Sequence, residues 1–133
     1  MIRRLALTLS LFTVCCSSRA DIEAQKSAGL IARAIQQLRD APNDAKPPAL
    51  AELTKLSCAG ADVCETRAAC QTAYQEHIDA LALTAAAKLK LSAGQAQEAA
   101  KLLGSAQDKL GQASSLVTLC TEREAALRRR YKL

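Results

Sequence analysis

One row of residues near the carboxyl end constrains the fold more than any other feature of the sequence. Mostly small or apolar residues recur there at alternating steps of three and four positions, namely Leu103, Ala106, Leu110, Ala113, Val117, Cys120, Glu124, Leu127 and Tyr131. This spacing places the whole row on one face of an α-helix. It therefore predicts a long amphipathic helix over residues 95–131 that packs against another helix.

A second long helix is predicted just before the first, over residues 62–91. Its expected apolar face consists of Val63, Cys70, Tyr74, Ile78, Leu81, Ala85 and Leu89. Asp62 gives this helix a capping-box-like start. The intervening segment 92–95 supplies either a capping box that starts at Ser92 or a helix end capped by Gly94. Both alternatives predict a tight reversal, so we expect a long antiparallel helical hairpin.

Two shorter helices complete the predicted fold. The first runs over residues 21–40 and begins at Asp21, and the second runs over 49–57. The Pro-rich connector 41–48 separates them. Because the chain is rich in Ala and Leu and has only five Gly and three Pro, helices are favoured over strands almost throughout. The prediction is an all-α, disulfide cross-linked small helical bundle of three to four helices, built on the hairpin as a single domain, 21–133.

The first twenty residues are typical of a secretory signal peptide. Two arginines precede an apolar run over residues 5–14, and small residues then occupy the positions that define a cleavage site before Asp21. The run is too short to span a membrane as a helix. We therefore expect export to the periplasm or out of the cell. An alternative is acylation at Cys16, which would anchor a lipoprotein at a membrane surface, although Cys15 is not the small residue that such processing prefers.

The cysteines outside the leader predict a disulfide framework. Cys58, Cys64, Cys70 and Cys120 form an even set, as expected for two disulfides in an exported chain. Cys64 and Cys70 are about 9 Å apart along a helix axis and cannot pair with each other. Two pairings stay open: Cys58 with Cys64 and Cys70 with Cys120, or Cys58 with Cys70 and Cys64 with Cys120. The six-residue spacings argue against a zinc site.

Charge and aromatic content argue against nucleic acid as a partner. The leader contains three of the 18 basic residues and no acidic one, which leaves 15 basic against 13 acidic residues, a net charge of +2. The full chain has no Trp and two Tyr, so aromatic platforms for stacking bases are lacking. Most of the basic character of the full chain thus belongs to the export signal.

No motif indicates a catalytic, cofactor or metal site, and the single histidine, His77, has no identifiable catalytic partner. The expected function is that of a non-enzymatic protein-binding or structural component, whose partner is another envelope or secreted protein. A docking surface is predicted at Arg128, Arg129, Arg130, Tyr131 and Lys132. The alternatives are a small-ligand or metal-binding helical carrier, with Cys70, Tyr74 and His77 lining its interior, and the lipoprotein described above.

Overall fold

The computed structural model describes residues 18–133, and these residues form four helices and no strand. The helices are α1 (Arg19–Asp40), α2 (Lys46–Lys55), α3 (Ala61–Ser92) and α4 (Ala96–Tyr131). Each end lies within three residues of the predicted one. The predicted all-α bundle on a helical hairpin is confirmed. Residues 1–17, which contain most of the predicted signal peptide and the candidate acylation site Cys16, lie outside the described part of the chain.

Gly94 closes the reversal between α3 and α4. It has a positive φ of 74°, which glycine adopts without steric cost. Its N–H donates to the Leu91 carbonyl at 3.0 Å, and the N–H of Gln95 donates to the Lys90 carbonyl at 2.9 Å. These two bonds form a Schellman motif. Of the two predicted reversals, the structure therefore has the Gly94 cap, and the Ser92 hydroxyl instead donates to a carbonyl within α3.

The amino-terminal ends of two helices differ from the prediction. Ser18 rather than Asp21 caps α1, because the Asp21 N–H donates to the Ser18 hydroxyl at 3.2 Å and the Asp21 carboxylate accepts from the Ser18 N–H. Cleavage before Asp21 would remove this cap. At α3 the expected capping box at Asp62 is wrong. Gly60 is the N-cap, and the Asp62 carboxylate accepts a hydrogen bond from the Tyr131 hydroxyl at 3.1 Å instead.

Alanines at every seventh position seal the contact between α3 and α4. They are Ala73, Ala80 and Ala87 on α3 and Ala99, Ala106 and Ala113 on α4, all at most 3% exposed. Such small side chains let two helix backbones approach closely. The apolar face predicted for α3 is therefore wrong at its distal end. Ala85 is exposed there and Leu89 is 73% exposed, because the helix turns its alanines rather than its leucines toward α4.

Helix α1 covers one side of the hairpin and runs antiparallel to α4. Near its start the Gln25 side chain donates to the Tyr131 carbonyl at 3.2 Å, and near its end Arg39 forms an ion pair with Glu124. The apolar residues of α1 fill the space between it and the hairpin, so that Ile31, Ile35 and Leu38 are fully buried. This arrangement explains why α1 has a strongly one-sided apolar pattern.

Helix α2 turns back along α3. We call α1 and α2 together the cover, because they lie on one side of the hairpin. At its start the Lys46 ammonium lies 5.7 Å from the centre of the Tyr74 ring, and just after its end the Leu56 carbonyl accepts a hydrogen bond from Arg67. We call the resulting four-helix part the base: α1, α2, the loop that follows it, residues 61–78 and residues 116–133. The core of the protein lies entirely within the base.

Residues 79–115, which we call the tip, extend beyond the cover. The tip contains only the ends of α3 and α4 that meet at Gly94, and 14 residues of α3 make it about 20 Å long. Its buried side chains are all alanines: Ala80, Ala87, Ala99, Ala106 and Ala113. No described residue of the tip belongs to the hydrophobic core cluster. The protein therefore consists of a filled base and a projecting two-helix tip.

Two disulfides reinforce the base. The structure has the first of the two open pairings, Cys58 with Cys64 (Cα atoms 5.2 Å apart) and Cys70 with Cys120 (4.7 Å). The first ties the loop after α2 to the first turn of α3, and the second joins α3 to α4 inside the core. These bonds indicate an oxidising, exported compartment. Among the described helices none has an apolar stretch long enough to cross a membrane.

Candidate interaction surface

The predicted docking surface at the carboxyl end consists of Arg128, Arg129, Arg130, Tyr131 and Lys132. Three of these residues are engaged within the base. Arg128 pairs with Glu124 at 2.9 Å, and both Arg130 and Tyr131 contact Asp62 at 3.1 Å. Desolvation and the hydrogen bond to Asp62 raise the pKa of Tyr131. Arg129 and Lys132 are exposed and form no ion pair within residues 18–133, and the Arg130 side chain is 67% exposed, so three of the five side chains are accessible to a partner.

Glu124 occupies a position that the helical row of α4 otherwise gives to small or apolar residues. It is only 3% exposed, and its two carboxylate oxygens contact Arg39 of α1 and Arg128 of α4. Burial lowers the pKa of Arg39, but the hydrogen bond and the negative charge of Glu124 outweigh burial and raise it. Because both oxygens are engaged by arginines, this cluster joins α1 to α4 and leaves no carboxylate oxygen for other chemistry.

The residues of the predicted carrier interior, Cys70, Tyr74 and His77, make contacts within the base. Cys70 is bonded to Cys120, and the Tyr74 ring lies beneath Lys46. Burial and the positive charge of Lys46 lower the pKa of His77. Among residues 18–133 no group of three or more His, Cys, Asp or Glu side chains is placed to hold a metal ion. One groove of the described residues, of about 440 Å³, lies between α2 and α3 and is lined in part by Leu50, Thr54 and Ile78.

One side of the tip carries uncovered leucines. Leu103 and Leu110 continue, at seven-residue spacing, the row of α4 in which Glu124 contacts α1. They are each 44% exposed. On α3, the partly buried Leu81 lies seven residues after Tyr74, which α2 covers. Leu91 lies in the neighbouring row on the same side of α3 and is 52% exposed. The side of the hairpin that α1 and α2 cover in the base therefore stays largely apolar in the tip, where none of residues 18–133 outside the hairpin covers it.

The opposite side of the hairpin carries ion pairs along its length, and its leucines, Leu83, Leu102 and Leu116, are partly buried among them. Ion pairs link α3 to α4 there in both base and tip: Glu65 with Arg123 at 2.8 Å, Glu76 with Lys109 at 2.6 Å, and Lys90 with Glu98 at 2.7 Å. The hydrogen bond to Glu76 raises the pKa of Lys109. The leucines on this side of the tip are partly buried and bordered by ion pairs, whereas Leu91, Leu103 and Leu110 on the other side are exposed. The side with the exposed leucines therefore resembles a surface that another element covers.

We call the side of the tip that carries the exposed leucines the tip face. It consists of Leu81, Thr84, Lys88 and Leu91 of α3 together with Ala100, Leu103, Gln107 and Leu110 of α4. The sequence analysis did not identify it, because it assigned Leu81, Leu103 and Leu110 to the interior of the bundle. The signal that could have found it is length, since the predicted covering helices are much shorter than the two that they cover.

Comparison of the chain with known protein families, curated proteins and solved structures finds no match. The geometry of the tip face therefore carries the functional argument by itself.

Proposed function

We propose that this chain is an exported, non-enzymatic protein that binds another protein through the tip face. The observation that carries the proposal is the contrast between the two sides of the tip. The leucines of the ion-paired side are partly buried, whereas the side with the exposed leucines continues a surface that helices cover elsewhere in the same molecule. An exposed apolar patch bordered by polar residues is typical of a protein interface.

The disulfides support function outside the cytosol. Release into the periplasm or the medium after cleavage before Asp21 is the form of export that we propose. A lipid anchor at Cys16 is the alternative, and it would hold the base near a membrane. The intact mass of the exported protein separates the two, because acylation at Cys16 would add both the lipid and residues 16–20 to the chain.

A photo-crosslinking amino acid on α4 tests the proposed function in the exporting cell. At Gln107 it would stand on the tip face, and at Gln112 it would stand on the ion-paired side of the same helix, five residues away. Both positions are exposed, so they form a matched pair. We expect a discrete protein adduct from position 107 and a much weaker one from position 112. Equal adducts from both positions, or none from either, would contradict the proposal.

The leucines themselves provide the second arm of that experiment. Replacing Leu103 and Leu110 with Gln should abolish the adduct from position 107, whereas replacing Leu119, which is 39% exposed elsewhere on α4, should not. Circular dichroism would show that each variant keeps its helices. An adduct that persists in the Leu103→Gln, Leu110→Gln variant would show that the leucines do not form the contact.

A further inference from the structure

We infer that a second copy of this chain covers the tip face. The two tips pack face to face and antiparallel, and together they form a four-helix section. This inference rests on the proposed function, since it identifies the partner that the tip face binds. It would make the protein a dimer with a base at each end and a shared middle.

The number of helices points to a second copy. In the base, α1 and α2 add two helices to one side of the α3–α4 pair, and this four-helix section encloses the whole core. The tip contains the same pair of helices, but it lacks the two additional helices, so the corresponding side is uncovered there. A second tip would bring two helices whose leucines face the first tip. Contact through one shared surface on both copies is the usual geometry of a two-fold dimer.

The residues of the tip face fit such a contact. Leu81, Leu91, Leu103 and Leu110 supply apolar surface, and among the described residues that define the face Lys88 is the only charged one. Gly111 lies beside these leucines on α4, and a methyl group added there would contact nothing within 4 Å. The outer surface of α4 is therefore low at this point, which lets another helix approach.

The position of the cover decides the orientation. Helices α1 and α2 stand on the same side of the hairpin as the tip face, because Glu124 and Tyr74, which they contact, share rows with the leucines. Two copies facing each other in parallel would bring the two covers to the same place, and they would collide. An antiparallel arrangement puts the covers at opposite ends and also separates the two Lys88 side chains. The structure therefore admits only the antiparallel form of this contact.

The size of the face sets the strength of the contact. A tip about 20 Å long and two helices wide has a footprint of roughly 400 Å² per copy, about half of the ~800 Å² per partner of a standard interface. We therefore expect a reversible dimer with a dissociation constant well above the low micromolar range. Such a dimer would be dissociated at low micromolar concentration and would form as the concentration rises.

Sedimentation velocity of the oxidised protein, purified from the exported fraction, tests the inference. Between roughly 5 µM and 1 mM we expect the species to change from monomer to dimer. The Leu103→Gln, Leu110→Gln variant should weaken dimerisation at least about tenfold, since it places two polar amides in an apolar contact. The Leu119→Gln variant should dimerise like the parent. A monomer throughout the series, or equal dimerisation of all three proteins, would overturn the inference.

The crosslinking experiment separates this inference from the proposed function. An adduct of twice the mass of the chain from position 107 supports both. An adduct with a different protein, together with a monomer throughout the concentration series, supports the proposed function and overturns the inference. Binding of the protein to anionic phospholipid vesicles that depends on Leu103 and Leu110, without dimerisation, would overturn both and identify the tip face as a membrane-binding surface.

Discussion

The base and the tip share helices α3 and α4, yet different side chains are buried in the two regions. In α4 one seven-residue row carries Ala106 and Ala113 in the tip and Cys120 and Leu127 in the base, and all four are buried. In the tip, where only two helices meet, the buried side chains are small and let the two backbones approach closely. Where α1 and α2 add a second layer, large side chains become buried as well. The comparison teaches that the cover, rather than the hairpin, creates the core.

Removal of a disulfide from the base should lower the free energy of unfolding by the largest amount. The bond between Cys70 and Cys120 closes a separation of 50 residues in the base. It should raise the free energy of unfolding by about 4 kcal/mol, because it reduces the entropy of the unfolded chain. The bond between Cys58 and Cys64 closes only six residues and is worth about 2 kcal/mol. Urea unfolding of the two Cys-to-Ala double variants measures both costs. Equal costs would show that loop length does not govern the stability of the base.

Two leucines of α4 provide a direct comparison between base and tip. Leu127 is 2% exposed in the base, so Leu127→Ala should lower the free energy of unfolding by about 3 kcal/mol through lost burial and a cavity. Leu110 is 44% exposed in the tip, and Leu110→Ala should cost about 0.5 kcal/mol or less. Both are measured at low micromolar concentration, where the dimer that we infer would be dissociated. A loss at Leu110 as large as that at Leu127 would mean that the tip has a core of its own.

Glu124 tests whether charge as well as apolar burial holds the cover on the hairpin. Glu124→Gln should destabilise the protein by about 2 kcal/mol, because Arg39 and Arg128 lose their common partner. These arginines are 35% and 39% exposed, and water therefore reduces the cost. The control is Glu122→Gln at an exposed position of the same helix, which should change stability by less than about 0.5 kcal/mol. Similar values for both would remove any role for the buried carboxylate.

The smallest expected effect is the pH dependence that His77 contributes. Burial and the charge of Lys46 lower the pKa of His77 from its usual 6.5, so the folded protein binds a proton less readily than the unfolded chain. The stability that neutral His77 contributes is therefore present above pH 6.5 and is lost as the pH falls through the lower folded value. Urea unfolding at pH 7 and pH 5.5 should show a smaller acid-induced loss for His77→Gln than for the parent. Identical losses would contradict the assignment.

Several features of the fold could be read from local sequence signals. The row from Leu103 to Tyr131 is regular enough to define α4, and Gly94 supplies the left-handed residue that a helix end needs. Axial spacing on an antiparallel pair excluded a bond between Cys64 and Cys70 and left two pairings. Choosing between them needs the rotation of α3, which the sequence does not define.

The rest depends on contacts between distant parts of the chain. Periodicity favoured Leu89 over Ala87 as a contact residue of α3, because hydropathy rewards large side chains and a close helix pair requires small ones. Glu124 is buried only because Arg39, 85 positions away, reaches it. The tip face was missed for the same reason, since whether Leu103 and Leu110 are covered depends on where α1 and α2 lie.

Native-state hydrogen exchange along α3 and α4, at about 5 µM oxidised protein, tests the division into base and tip most directly. Amides of residues 79–115 should exchange through openings that cost at least about 2 kcal/mol less than those of residues 61–78 and 116–131, because the buried side chains of the tip are all alanines. Equal protection along the full length of both helices would contradict the division, and with it the interpretation of the tip face as a surface that awaits a partner.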